Sequence, residues 1–213
     1  MELDRAIATR RMVRAFASDP IEPGVVDDLL ERALRAPSAG NTQATELLVL
    51  DRHEETARYW QVTLAGGRRR KFRWQELLDA PVLVLVTTRP AAYAERYAET
   101  DKSPTGLGRG PDAWPVPYWW VDAGAVIQNL LLLAVDRGLG ACLFGPFDHE
   151  PALKTELGVA ADTRLVATVA LGHPLPDEPG RSATRPRRPL AEVIHRLGAP
   201  PPAPPAVRPG DRS

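Results

Sequence analysis

Three arginines stand within five residues near the start of the sequence, at Arg10, Arg11 and Arg14. A guanidinium group presents a rigid fork of N–H donors, and this fork matches the oxygen atoms of a phosphate. Three such groups in a short segment therefore predict a phosphate clamp. A solvated basic helix end, whose charges complement the helix dipole, is the alternative interpretation.

A polar loop, Ala-Pro-Ser-Ala-Gly-Asn-Thr-Gln, occupies residues 36–43. It offers a hydroxyl, an amide and backbone N–H groups from a segment that is held by proline. Such groups suit the polar edge of a flat heterocycle, where donors and acceptors must be fixed in place. A helix-capping turn would use the same residues.

A second basic cluster consists of Arg185, Arg187 and Arg188 and precedes a Pro-Leu pair. Although it lies far from the first cluster in sequence, both clusters could surround one phosphate. A solvated loop is the alternative for this cluster.

Other residue types that often carry chemistry are uninformative in this sequence. The four histidines lack the spacing of metal ligands, and none pairs with a recognisable nucleophile. Cys142 is the one cysteine, which excludes an intrachain disulfide and a cysteine-cluster metal site, and its apolar surroundings predict a buried, inert thiol. We therefore predict no catalytic side chain and no metal site. A cofactor that brings its own chemistry would fit such a chain.

Hydrophobic periodicity predicts the elements that must position these groups. Helices are predicted over 2–11, between Pro23 and Pro37, and over 119–137, 151–157 and 190–196, with further helical segments between the first two strands. Strands are predicted over 47–50, 82–87, 141–144 and 164–171, and a long loop over 100–117. Because helices and strands do not alternate regularly, the pattern favours an α+β fold with a mixed or antiparallel sheet. The helix over 119–137 is apolar nearly all round, which places it in a core or an interface.

Composition limits the classes of protein that are possible. The 213 residues, 44% of them hydrophobic, predict one domain over 1–198 and a disordered, proline-rich tail over 199–213. Equal numbers of basic and acidic residues, 27 of each, disfavour a dedicated nucleic-acid binder. No apolar stretch reaches the roughly 18 residues of a membrane span. We therefore expect a protein without membrane or nucleic-acid partners, and the single cysteine favours the cytoplasm.

Taken together, these segments resemble the FMN-dependent nitroreductase family. The resemblance begins with the Arg-Arg-x-x-Arg-x-Phe segment at 10–16, the loop at 36–43 and the helix at 122–132. It continues, in family order, through 137–141, Gly145-Pro146-Phe147, 171–174 and 187–190. The order and spacing of these segments make the set specific, although no single segment is.

The resemblance implies the nitroreductase α+β fold and an obligate homodimer with FMN at the subunit interface. It implies FMN binding by residues of both chain ends and of the partner subunit: Arg10, Arg11, Met12, Arg14, Arg185 and Arg187 at the phosphate and pyrimidine side, Pro37, Ser38, Asn41 and Gln43 from the partner, and the backbone at Phe144 and Gly145 along the ring system. It also implies a ping-pong cycle, in which NAD(P)H reduces FMN and an electron-poor acceptor, such as a nitroaromatic or a quinone, then takes its place.

Two positions depart from the family pattern. The family usually has a serine where Met12 stands, so one phosphate hydrogen bond is missing, and Arg11 would compensate for it. The family loop usually continues Gln-Pro-Trp, whereas this chain has Gln43-Ala44-Thr45, which puts the stiffness of the loop in question.

Several alternatives stay open on the sequence. The chain could be an FMN-dependent tailoring oxidase or dehydrogenase of specialised metabolism that needs no external NAD(P)H, or a flavin-binding protein without turnover. The aromatic segment within 100–120 could cap the substrate or pack in the core. The basic run 68–71 with Arg73 could attract the 2′-phosphate of NADPH or form a solvated helix face.

Overall fold

The computed structural model describes residues 1–22, 24–178 and 180–197, so the predicted disordered tail over 199–213 lies outside the described residues. The helices of the described part are α1 (Leu3–Thr9), α2 (Val25–Ala33), α3 (His53–Thr63), α4 (Arg68–Lys71), α5 (Pro90–Ala98), α6 (Tyr118–Asp136) and α7 (Glu150–Leu157). The strands are β1 (Thr45–Leu50), β2 (Val82–Thr88), β3 (Gly140–Phe144) and β4 (Arg164–Gly172).

The four strands form one sheet in the order β1-β2-β4-β3, and every neighbouring pair is antiparallel. This confirms the predicted α+β class and the antiparallel form of the sheet. All seven residues of the central strand β2 are buried, as its continuous apolar sequence predicts. In β1, by contrast, Leu47 and Leu48 are only half-buried, because β1 is an edge strand.

Helices cover both faces of the sheet, and the period of two along β2 separates two cores. Val82, Val84 and Val86 pack with α2 and α6 on one face. Leu83 and Leu85 pack with α3 and α7 on the other face. The sheet therefore holds the ends of its strands in fixed positions relative to both helical layers.

Helix α6 has the length and hydropathy of a membrane span, so the expectation that no segment of the chain qualifies is wrong. The helix lies against the sheet instead, and Ala123, Leu130 and Ala134 are fully buried there. This core position accounts for its apolar composition.

Other predicted boundaries are also wrong. Helix α1 ends at Thr9 rather than residue 11, so the arginine cluster follows the helix. The apolar face that was predicted for this helix is exposed to solvent in the single chain, since Leu3 is 64% and Ile7 55% exposed. The helix predicted over 190–196 is only a 3₁₀ turn, Leu190–Glu192, because the backbone leaves helical geometry at Val193.

The segment 100–117 contains three short 3₁₀ turns rather than an unstructured loop. Trp114 is buried against Tyr93 and Tyr97 of α5, and its indole N–H donates a hydrogen bond of 3.2 Å to the Leu107 carbonyl. Of the two readings of this aromatic segment, core packing therefore describes Trp114 and also Trp119, while Tyr118 remains partly exposed.

The chain divides into two compact units, Met1–Asp177 and Glu178–Ser213. The first unit holds the sheet and helices α1 to α7. The described part of the second unit contains two 3₁₀ turns, Arg181–Thr184 and Leu190–Glu192. The single domain over 1–198 stays a prediction.

Candidate functional site

The arginine segment, residues 10–16, runs beside strand β3. The Val13 N–H donates to the Ala141 carbonyl at 2.9 Å, and the Leu175 N–H donates to the Ala15 carbonyl at 2.9 Å. Beyond Ala15, the Phe16 N–H donates to the Glu76 carbonyl at 3.2 Å. The backbone that carries the three arginines is therefore fixed between the sheet edge and residues 173–177.

Asp177 organises this segment. Its carboxylate forms an ion pair with Arg11 and accepts a hydrogen bond of 2.7 Å from the Arg14 backbone N–H. Burial opposes ionisation of Asp177, but the hydrogen bonds from Arg11 and the Arg14 N–H outweigh it, so the pKa of the carboxyl lies below its usual value. Arg11 is thus engaged by a carboxylate within its own chain, and its expected compensation for Met12 finds no support in this arrangement.

Arg10 has an unsatisfied donor. Its Nη1 atom is buried and has no hydrogen-bond partner within the described residues. Leaving a buried charged donor unpaired costs free energy, and an acceptor from outside the chain would remove that cost. The residues present therefore fit an anionic group, such as a phosphate, at Arg10.

Arg14 is held over an indole ring. Its guanidinium carbon lies 5.2 Å from the centroid of Trp74, and its Nη1 donates a hydrogen bond of 3.2 Å to the Met12 carbonyl. The Trp74 indole N–H is itself a buried donor without a partner in the described part of the chain. This cation–π contact orients Arg14 without neutralising its charge. Trp74 was not predicted as a site residue, and the adjacent basic run is the one feature of the sequence that pointed to it.

Met12 points toward the sheet. Its Sδ atom lies 3.3 Å from the backbone nitrogen of Leu143 and accepts that N–H. At the end of the same strand, the Phe144 ring stacks on Trp60 with centroids 5.7 Å apart. The arginine segment and the backbone at Phe144 are therefore brought together by β3.

Gly145 follows β3, and its surface is covered by an aromatic ring. A Cβ atom at Gly145 would stand 2.8 Å from Cζ of Phe147. Phe147 has a strained backbone, with a φ of 43°, and its side chain is 82% exposed. Strained residues of this kind concentrate at functional sites. Phe147 belongs to the family pattern in the sequence, but no role was predicted for it.

Within the polar loop, residues 37–43 are held by hydrogen bonds to one another and to α5. The Gln43 N–H donates to Ser38 Oγ at 3.0 Å, and Arg96 Nε of α5 donates to the Gly40 carbonyl at 2.9 Å. Gly40, Asn41 and Gln43 all have positive φ, of 61°, 55° and 53°. Pro37, Ser38 and Gln43 also line a cavity of about 130 Å³. The polar loop therefore contacts α5 through Arg96 and borders α6, two of whose residues, Asp122 and Val126, line the same cavity. The arginine segment instead contacts β3 and residues 173–177.

Arg185 and Arg187 lie in the second unit, between its two 3₁₀ turns, and both are exposed. That they join Arg10 around one phosphate stays a prediction. Arg68, Arg69, Arg70 and Lys71 form the short helix α4, and all are exposed.

Asp122 is a further residue that the sequence analysis did not select. It is 6% exposed, and its carboxylate accepts the Ala39 N–H of the polar loop at 2.8 Å. A signal was present in the sequence, because Asp122 is the one charged residue between Tyr118 and Val135 of an otherwise apolar helix. A carboxylate in such a helix must find donors when it is buried.

The chain is similar in sequence and in fold to several known proteins. A "4-nitrobenzoate reductase" of Pseudomonas putida is 26% identical, over 92% of this chain and 96% of its own. An "NADH dehydrogenase" of Thermus thermophilus is 28% identical, over 82% of this chain and 87% of its own. The crystal structure of a BluB-like flavoprotein from Clostridium difficile superposes with a TM-score of 0.68 at 23% identity, covering 92% of this chain and 99% of that one.

A family model also matches most of the chain. The model of the "Nitroreductase family" matches residues 7–173, which include the arginine segment, the polar loop and the whole sheet. The chain therefore belongs to the nitroreductase family.

Proposed function

We propose that this protein binds FMN and transfers electrons from NAD(P)H to an electron-poor acceptor, such as a nitroaromatic or a quinone, by a ping-pong mechanism. Membership of the nitroreductase family makes the chain an oxidoreductase. The relatives named for NADH and for 4-nitrobenzoate support the donor and the type of acceptor. The observation that carries the proposal is the buried Nη1 of Arg10, which has no hydrogen-bond partner among the described residues.

The residues of the first unit have distinct parts in this proposal. Arg10 would bind the phosphate of FMN, because its buried donor lacks an acceptor. Arg14, oriented by Trp74, would place a positive charge near the ring system, where it favours the anionic reduced state. The backbone at Phe144 and Gly145 would lie along the ring. FMN, when bound, supplies the electron-transfer chemistry that the side chains of this chain lack.

The proposal includes a homodimer. In line with the family resemblance, we infer that the polar loop 37–43, which is anchored to α5 and α6 of its own chain, completes the site of the other subunit. Leu3, Ile7 and Val121 leave apolar surface exposed on α1 and α6, which contact each other. A second copy of the chain would cover this surface.

The cytoplasm is the compartment that we propose. Cys142 is buried, and burial raises the pKa of its thiol to about 11, so it stays protonated and unreactive. A chain whose one cysteine is a buried, free thiol is typical of a reducing compartment.

The test is the visible absorption spectrum of the purified protein with FMN, recorded under nitrogen before and after addition of NADH or NADPH. We expect a yellow protein that either nucleotide bleaches rapidly, and whose colour a nitroaromatic or a quinone restores. A yellow protein that neither nucleotide bleaches would instead support the tailoring oxidase. A bleached protein that no acceptor reoxidises quickly would support flavin binding without turnover, and failure to bind FMN would overturn the proposal.

Sedimentation velocity tests the oligomeric state of the same sample. A dimer that carries FMN is expected. A monomer that retains FMN would contradict the idea that two subunits complete one site.

A further inference from the structure

Asp122 is buried near the N-terminal end of the hydrophobic core helix α6. It is 6% exposed, and buried apolar residues of the same helix lie on either side of it in sequence, such as Trp119 before it and Ala123 after it. A carboxylate in such surroundings is costly unless it is hydrogen-bonded. The groups that donate hydrogen bonds to Asp122 therefore indicate which parts of the structure the buried carboxylate stabilises.

Two donors converge on one oxygen of Asp122. The backbone N–H of Ala39 and the hydroxyl of Tyr93 each donate a hydrogen bond of 2.8 Å to Oδ2. Tyr93 is fully buried on α5. Burial raises the pKa of Tyr93, and the hydrogen bond to Asp122 raises it further, so the hydroxyl keeps its proton and remains a donor. Asp122 thus links the polar loop to both α5 and α6.

The polar loop needs such anchors because its backbone is strained. Asn41 and Gln43 have φ of 55° and 53°, a region that side chains other than glycine rarely adopt. Gly40 also has a positive φ, and a Cβ atom there would stand 2.7 Å from Cε2 of Tyr97. Strained conformations of this kind persist only where the surrounding structure over-determines them. The bond from Asp122 to Ala39 lies at the start of this strained turn.

We propose that Asp122 is a positioning residue for FMN binding: through the Ala39 N–H it holds the loop 37–43 in the conformation that meets the cofactor of the other subunit. This inference rests on the proposed function, since it assumes that the loop contacts FMN. The proposal adds Asp122 of α6 to the residues that support FMN binding. Tyr93 is the second hydrogen-bond donor, and it orients the Asp122 carboxylate.

The opposing explanation is that Asp122 only satisfies the buried Tyr93 hydroxyl. In that case, replacement of Asp122 would lower the stability of the fold and leave FMN affinity and the environment of the bound flavin unchanged. The two explanations therefore differ in a binding measurement rather than in stability.

The experiment compares Asp122→Asn with Asp122→Leu. The side-chain carbonyl of asparagine can accept both hydrogen bonds, whereas leucine has a similar size and accepts none. Each variant is titrated with FMN, with flavin fluorescence giving Kd, and the visible circular dichroism of the bound flavin reports its surroundings. The thermal midpoint of each protein without FMN measures stability separately.

Asp122→Leu is expected to raise Kd by about tenfold or more and to alter the flavin spectrum, while Asp122→Asn stays within about threefold of the wild type. An Asp122→Leu protein that folds but keeps the wild-type Kd and spectrum would overturn the inference. An equal loss in both variants would overturn the role of the hydrogen-bond acceptor. If the wild type itself binds no FMN, the proposed function fails, which is a different result from either.

Tyr93→Phe gives a second test that does not depend on the folding of Asp122→Leu. Its matched control is Tyr59→Phe, which removes another buried tyrosine hydroxyl, one bonded to Thr168 in the sheet at 3.0 Å. We expect Tyr93→Phe to weaken FMN binding more than the control does. Equal FMN affinity in the two variants would refute the role of the Asp122–Tyr93 pair.

Discussion

Replacement of Arg10 by methionine should have opposite effects on the free protein and on its complex with FMN. Methionine keeps an unbranched side chain and removes the charge. In the free protein, the substitution eliminates the buried Nη1 donor that lacks a partner. Since an unsatisfied buried donor costs about 1–3 kcal/mol, the free energy of unfolding should stay equal or rise by a part of that amount.

In the complex, the same substitution removes a charge-assisted hydrogen bond to the phosphate. Such a bond contributes about 1.5–3 kcal/mol, which corresponds to an increase of about 10- to 150-fold in the Kd for FMN. Combining Arg10→Ala with Arg14→Ala should abolish retention of FMN during purification, because both proposed cationic contacts are lost.

Two assays separate these effects: urea unfolding of the free protein, and titration of FMN fluorescence. Arg58→Met is the control, because Arg58 is a surface arginine of α3 that pairs with Glu156 of α7 at 2.7 Å. The control should leave the Kd for FMN unchanged and cost at most about 1 kcal/mol of stability. An Arg10→Met protein that binds FMN like the wild type but is less stable would refute the reasoning, because Arg10 would then be structural.

Two further predictions concern the segments on either side of the site. The pKa of Asp177 is lower in the folded state than its usual value, so its ionised form contributes stability at neutral pH that is lost as the pH falls through the folded pKa. Asp177→Asn should therefore be less stable than the wild type at pH 7, and urea unfolding should show the difference shrinking below about pH 4; a constant difference would contradict the role of the Arg11 pair. Gly40→Ala should destabilise the fold more than Gly66→Ala, since both positions have positive φ but only at Gly40 would a Cβ meet a ring, that of Tyr97. Equal thermal midpoints of the two alanine variants would show that this close contact relaxes without cost.

The regular elements could be predicted because hydrophobic periodicity is a local property. The continuous apolar run of β2 and the apolar length of α6 identify a central strand and a core helix without knowledge of their neighbours. Their boundaries were less predictable. Helix α1 ends before the arginine cluster, at Thr9, two residues earlier than predicted.

The candidate site was predictable only as a set of residue types. The arginine cluster and the polar loop could be selected because guanidinium, hydroxyl and amide groups suit an anionic, flat cofactor. Nothing in their local sequence indicates which arginine is already paired. That Arg11 is engaged and Arg10 is not depends on Asp177, which lies 166 residues from Arg11 in the chain.

The sequence by itself determined the class of fold, the family and the chemical character of the groups that could bind a cofactor, because these depend on composition, period and the order of short motifs. Only the tertiary structure decided which groups meet: Met12 turned toward β3, Trp74 beneath Arg14, and Asp122 beneath the strained loop. The physical reason is that hydrogen bonds and burial act between residues that are close in space. A charge that seems misplaced in an apolar helix, such as Asp122, has no explanation until the fold brings its donors to it.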